Sequence, residues 1–206
     1  MARYADGRAG SSSHIHQSLT RDGVPAFYDA SGEHGMSGTM KSYLAGLLAH
    51  AEATTVFLAP YVNSYKRFTD RLFAPTNAVW SMDNRTAGFR VCGADTKGVR
   101  AECRIGGADL NPHLALAAQI AAGLDGVERG LELEPETSGD LYAAEGVREV
   151  PRTSRDAVEA LDGAAMLRGA MGEDVIDHYV RAARWEVEAN DRAVTDWDVM
   201  RGFERA

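Results

Sequence analysis

The chain has 206 residues, 45% of them hydrophobic and 25% charged, the balance of an ordinary soluble globular domain. Lys and Arg total 22 against 30 Asp and Glu, a formal net charge of −8, so the whole chain carries no electrostatic footprint for nucleic acid or an anionic membrane. Cys92 and Cys103 make neither a disulfide framework nor a zinc spacing and suit a reducing cytoplasm. MARYADGRAGSSS lacks the apolar stretch of a secretory signal, and no apolar run reaches the roughly 18 residues of a membrane span.

Residues 2–19 are predicted to form a strand, a Gly/Ser turn and a second strand. Within GSSSHIHQSL, strand alternation sends His14, His16 and Ser18 to one face and Ile15, Gln17 and Leu19 to the other. Residues 20–35 read as loop, with Pro25 and several glycines and aspartates as turn formers. Ser37 suits the N-cap of a helix whose stripe is Met40, Tyr43, Leu44, Leu47 and Leu48. Ala59-Pro60 ends the segment that follows. Residues 77–91 alternate as a strand. Residues 98–105, GVRAECRI, alternate cleanly: Arg100, Glu102 and Arg104 on one face, Val99, Ala101, Cys103 and Ile105 on the other.

Asn111-Pro112 supplies an N-cap and an N1 proline to a helix rich in Ala and Gly. Its predicted packing stripe is Leu116, Ile120, Leu124, Val127 and Leu131. Residues 132–153 form an acidic, proline-containing loop. Helices are predicted over 154–162, over 173–193 with Ile176, Tyr179, Val180, Ala183 and Val187 as the stripe, and from Thr195 to Phe203. Strands precede helices, which favours an α+β fold over a doubly wound one.

Arg67, Arg85, Arg90, Arg100 and Arg104 fall close together in the chain. Arginine's planar fork suits carboxylates and phosphates. Glu102 shares a strand face with two of them. There it acts as a charge partner or, with His14, as a ligand of a hard cation that bridges phosphates. Phosphoryl transfer asks a protein for little beyond placed positive charge. The set suggests a nucleoside triphosphate, a metal and a small carboxylate substrate. Singly, each motif has a plain alternative: R-x-E-x-R is also an ion-paired strand face, and H-x-H is also a solvent-facing pair.

In chain order, GSSSHIHQSL, NSYKRF, APTNAVWSMDNRTAGFRV, RAECRIGGADLNPHLALAAQIAAGLDG and VTDWDVMRGFER resemble the C-terminal catalytic region of the glutamine synthetase family. The resemblance covers essentially the whole chain. It implies an α+β fold, a strongly twisted antiparallel sheet flanked by helices. That sheet forms half of an active-site funnel, completed by a neighbouring subunit of a homo-oligomeric ring. It implies His14 and Glu102 as ligands of Mg2+ or Mn2+. It implies His16, Ser18, Arg85, Arg90, Lys97 and Arg100 along ATP, and Gly10, Arg67, Arg85 and Arg104 at glutamate. Arg85 and Arg90 would be the catalytic pair beside the transferring phosphoryl group. In the implied reaction the γ-carboxylate of glutamate attacks the γ-phosphate of ATP, and an amine then attacks the acyl phosphate.

The chain departs from the family at several places. Ammonia-using members carry a glutamate just before Ala-Pro in the segment that here reads RLFAP, and this chain has Phe73. A phenyl ring cannot hold or deprotonate ammonium through a carboxylate, but it can line a channel for an alkylamine stem. Ala9 stands where an asparagine usually precedes Gly10. Phe73 and ADLNP together resemble the branch that joins glutamate to polyamines or other amines. A γ-glutamyl-amine or γ-glutamylpolyamine ligase is therefore favoured over glutamine synthetase proper. The family's N-terminal β-grasp domain and upstream metal-ligand strands have no counterpart in residues 1–206. The chain thus reads as the C-terminal part of such an enzyme, expected to be inactive alone. A non-catalytic remnant or assembly partner is the alternative of a different class. Tyr142, in GDLYAAEG, sits where part of the family is adenylylated, but its neighbours differ and no modification is assigned.

Overall fold

The computed structural model describes residues 1–69, 73–203 and 205. Residues 71 and 72 of RLFAP and residue 204 of the closing motif lie outside them. Residues 2–11 do not form the predicted first strand. Their polar groups go to turns and to other segments: Ser11 N donates to Ala2 O at 2.7 Å, and Ala2 N donates to Asp109 at 3.0 Å. The first strand is β1 (Ile15–Gln17). The stretch read as loop holds a small hairpin, β2 (Thr20–Arg21) and β3 (Val24–Pro25). Its two turn residues, Asp22 and Gly23, have φ of 53° and 78°, the pair of positive angles that a tight hairpin requires.

Ser37 caps α1 (Gly38–Ala49), its hydroxyl accepting from Met40 N at 3.1 Å. Two helices that the sequence reading leaves unassigned follow, α2 (Ala51–Leu58) and the single turn α3 (Val62–Tyr65). The strand predicted over 77–91 is interrupted. It becomes β4 (Trp80–Met82) and β5 (Phe89–Cys92), separated by a turn in which Asn84 Oδ1 accepts from Thr86 N and Thr86 Oγ1. β6 (Arg100–Cys103) completes a sheet of order β1-β6-β5-β4. β1 and β5 both run antiparallel to β6, and β4 joins β5 at the edge in parallel.

The helices cover one face of this sheet. Ile15, Phe89, Val91, Ala101 and Cys103 turn toward them and are buried. α4 (Pro112–Arg129) starts at Asn111, whose side chain accepts from His113 N at 3.0 Å, and stops at Gly130 with φ 60°. Here the structure reverses the predicted stripe. Leu116, Ile120 and Leu124 are 41%, 44% and 39% exposed, Val127 is half-buried and Leu131 lies beyond the helix. The buried face is Ala115, Ala118, Gln119, Ala122, Gly123 and Gly126.

The reason is the close approach of α1. A Cβ on Gly126 would stand 2.7 Å from Gly46 Cα, and Gly123 lies under the Tyr43 ring. Only small residues fit there. A buried polar relay ties the layers: Tyr43 OH donates to Gln17 at 2.8 Å, Gln17 reaches Gln119 at 3.5 Å, and Gln119 donates to Thr54 at 3.3 Å.

α5 (Ser154–Asp162), α6 (Ala165–Met171) and α7 (Glu173–Arg192) extend the helical layer, with Ile176, Val180, Ala183 and Val187 inward as read from the sequence. α8 (Asp196–Phe203) buries none of its residues. Among the described residues no helix is long and apolar enough to cross a membrane.

The close contact gives a direct test of which face of α4 packs. Gly126→Ala overpacks the α1–α4 contact and should cost about 1–3 kcal/mol in urea unfolding. Leu116→Ala should stay within about 0.5 kcal/mol. Equal losses would show that the leucine stripe also supports the fold.

Candidate active site

The strand register assembles the site. His16 stands opposite Glu102 on β6, and Glu102 stands opposite Arg90 on β5. Alternation then places His14, His16 and Ser18, Arg100, Glu102 and Arg104, and Arg90 and Cys92 on the sheet face away from the helices. His14 Nδ1 lies 3.1 Å and His16 Nε2 3.6 Å from one Glu102 oxygen. Arg104 donates to that oxygen at 2.7 Å, and Arg90 reaches the other at 3.5 Å.

Glu102 is only 2% exposed. A carboxylate that deep needs opposite charge and hydrogen bonds around it, which the two guanidinium groups supply. Burial, and then the charge of Arg104, pulls the His14 imidazole below its ordinary pKa, against the pull of Glu102. A neutral imidazole can offer a lone pair to a cation.

The other predicted residues divide into three groups. The first borders the cluster at the Arg100 end of the sheet. Arg100 Nε donates to His16 Nδ1 at 3.2 Å. Ser18 is exposed just past β1, and Lys97 is exposed in the β5–β6 turn.

The second group lies beneath the first loop. Arg67 is 1% exposed and donates to Ser12 Oγ at 3.2 Å and to the Ile105 carbonyl. Its Nε has no partner among the described residues. Burial lowers its pKa to about 10, which leaves it charged at neutral pH, and that charge acts on His14. Gly10, with φ 84°, turns the chain over it: a Cβ there would stand 3.5 Å from Arg67 Cδ. Gly10 and Arg67 are therefore brought together, but covered by residues 10–12 and not open beside Glu102.

The third group lines an open cavity of about 670 Å3 that includes Phe73, Asp83, Arg85, Asp140 and Tyr142. The Arg85 carbonyl accepts from Arg104 Nε at 3.1 Å, which joins this cavity to the cluster. Phe73 is 67% exposed and meets Tyr142 edge to face, ring centroids 6.5 Å apart. Burial pushes the Tyr142 phenol up, and the charges of Arg104 and Arg85 oppose that shift.

Two residues here lie outside the predicted set. Cys92 Sγ is 3.6 Å from Glu102 Oε2. Alternation from Arg90 points to it, though cysteine spacing does not. Tyr142 comes from an irregular loop, and no periodicity links it to Phe73.

Comparison with known proteins is consistent with this geometry. The family model of the glutamine synthetase catalytic domain matches residues 1–201. Gamma-glutamylethanolamide synthetase GlnA4 of Streptomyces coelicolor is 43% identical over 206 residues, 100% of this chain and 43% of that protein. Glutamine synthetase of Thermus thermophilus is 40% identical over 199 residues, 93% of this chain and 45% of that protein. A solved GmaS/ADP complex has a TM-score of 0.85 at 30% identity, covering 95% of this chain and 46% of that one. Apo GmaS without ligand has a TM-score of 0.82 at 32% identity, covering 92% and 44%. The chain spans a little under half the length of these relatives. With the match running from residue 1 to residue 201, this chain belongs to the glutamine synthetase family through its catalytic domain.

Proposed function

We propose that the protein is an ATP-dependent ligase that joins the γ-carboxylate of glutamate to an alkylamine through γ-glutamyl phosphate. The observation that carries this reading is the convergence of His14, His16, Arg90, Arg100 and Arg104 around buried Glu102, beside a cavity whose exposed wall is Phe73. The relatives' names support it: one is an ethanolamide synthetase, and a GmaS structure holds ADP. Others are glutamine synthetases, so ammonia is the competing acceptor.

His14 and Glu102 fit a divalent cation, an imidazole nitrogen and a carboxyl oxygen 3.1 Å apart on an open sheet face. Mg2+ or Mn2+ held by these two residues would supply positive charge against the phosphates. Two ligands are fewer than a dedicated site takes. In this reading the rest are carboxylates from strands upstream of the H-x-H motif, and a β-grasp domain closes the site between subunits of a ring.

Arg100 and His16, already hydrogen-bonded to each other, hold the nucleotide at the sheet edge, with Ser18 and Lys97 beside them. Arg90 and Arg85 face the transferring phosphoryl group. The Arg90 guanidinium is already held by Asp83 and Glu102, so little reorganisation is needed there as charge shifts. Arg104 orients glutamate from the Glu102 side, with Arg67 and Gly10 behind it. Phe73 and Tyr142 give the amine an apolar wall, and an ammonium group is attracted to aromatic faces. A cytoplasmic enzyme follows from the same reading.

The deciding assay is ADP and amide formation from ATP and glutamate by the enzyme that carries this chain in full. Ethanolamine, putrescine and ammonium are compared side by side. No amine-dependent ADP formation with any of them would overturn the ligase reading. Phe73→Glu should move the ammonium-to-alkylamine ratio of kcat/KM toward ammonium by roughly 10–100-fold. An unchanged ratio would remove Phe73 as the selector. Arg100→Ala should weaken ATP by about tenfold, or about 1.4 kcal/mol, with the amine ratio unmoved. Equal ATP requirements in both proteins would remove Arg100 from the nucleotide site.

A further inference from the structure

We infer that Cys92 adds a sulfur ligand to His16 and Glu102, making a nitrogen, sulfur and oxygen site for a borderline divalent ion of the zinc type. One ligand atom from each of the three residues lies within 4.8 Å of the other two. Cys92 Sγ to Glu102 Oε2 is 3.6 Å, and His16 Nε2 to Glu102 Oε1 is 3.6 Å. The two distances run to opposite oxygens of one carboxylate, and tetrahedral zinc, with ligand atoms roughly 3.3–3.6 Å apart, asks the three side chains to close in slightly from their spacing of within 4.8 Å. His14 Nδ1, 3.1 Å from the same Glu102 oxygen, stands next to the trio as a further donor.

The placement follows from the sheet and not from cysteine spacing. Cys92 sits opposite Arg100 on β5, and Arg90 opposite Glu102, so Cys92 is the diagonal neighbour of Glu102 on the ligand face. The chain's other cysteine, Cys103, is on the opposite face among the helices and fully buried.

The charges around the site set what it selects. Arg104 and Arg90 hold the Glu102 oxygens at 2.7 and 3.5 Å, and Arg100 Nε donates to His16 Nδ1 at 3.2 Å, so a cation must displace three guanidinium contacts, the last to free the Nε2 lone pair of His16. With one carboxylate and neutral imidazoles a divalent ion would keep a positive charge there. When Cys92 releases its proton to solvent on binding, the thiolate and the carboxylate together balance that ion. Sulfur also discriminates: zinc-type ions accept thiolate, whereas magnesium takes oxygen. Occupation by a zinc-type ion would take Glu102 away from the cation of the proposed ligase. The inference shares that residue with the ligase reading, but its test needs no ligase activity.

The test titrates the whole 206-residue chain with Co2+ alone, with its thiols kept reduced by a phosphine. A sulfur-to-cobalt charge-transfer band in the near ultraviolet is expected. Cys92→Ser should abolish it, Cys103→Ser should keep it, and His16→Ala should weaken Co2+ binding by about tenfold. A second readout needs no variant: Zn2+ should slow alkylation of Cys92, located by mass spectrometry, at least several-fold. No band in the unaltered chain, a band that survives Cys92→Ser, or unchanged alkylation with Zn2+ would overturn the inference. If amide formation fails while the band behaves as described, only the ligase reading falls.

Discussion

A carboxylate at 2% exposure in the middle of a strand organises this molecule. Glu102 cannot stay buried without partners, and its partners come from three strands: His14 and His16 from the β1 side, Arg90 from β5 and Arg104 just past the end of β6. Those same groups are the ones that the proposed function assigns to a cation and phosphates. The burial that makes Glu102 costly also keeps its neighbours in fixed positions before any ligand arrives. Structure and chemistry thus make the same demand on this sheet: the register must hold to the residue, because a slip of one would send Glu102 into the helical layer.

The helical layer meets that demand from behind. α1 and α4 approach through Gly46, Gly123 and Gly126, and the Tyr43–Gln17–Gln119–Thr54 relay joins β1 to three helices. Gln17 directly follows His16, so the relay anchors the strand that carries the histidine on its other face. A polar relay inside an apolar layer specifies one arrangement more sharply than apolar packing alone, because each member has few satisfactory partners.

Two regions bordering the cluster differ in how open they are. At one, Phe73 and Tyr142 form an exposed aromatic wall that Arg104 connects to the Glu102 cluster. At the other, Arg67 is enclosed beneath the Gly10–Ser12 turn, with its guanidinium shared between Ser12 and the Ile105 carbonyl. A buried arginine held this way acts on a ligand chiefly as fixed charge, as it already does on His14. Arg104 is the arginine of this pair that stands at the open face.

Local chemistry made much of the fold and site legible in the residues alone. Ser37 and Asn111 cap the helices they precede, because a side-chain oxygen there satisfies a backbone N–H that has no helical partner. The H-x-H and R-x-E-x-R faces were legible because strand alternation has a period of two and needs no knowledge of neighbours. The orientation of α4 was not legible. Its sequence offers both a leucine stripe and a small-residue stripe, and periodicity cannot choose between them. Only the close approach of α1 decides, by leaving no room for a leucine-sized side chain at Gly123 and Gly126. The interruption of 77–91, the enclosure of Arg67, and the meetings of Cys92 with Glu102 and Tyr142 with Phe73 were decided the same way. Each depends on groups far apart in the chain being brought within a few ångströms, and that information belongs to the tertiary structure.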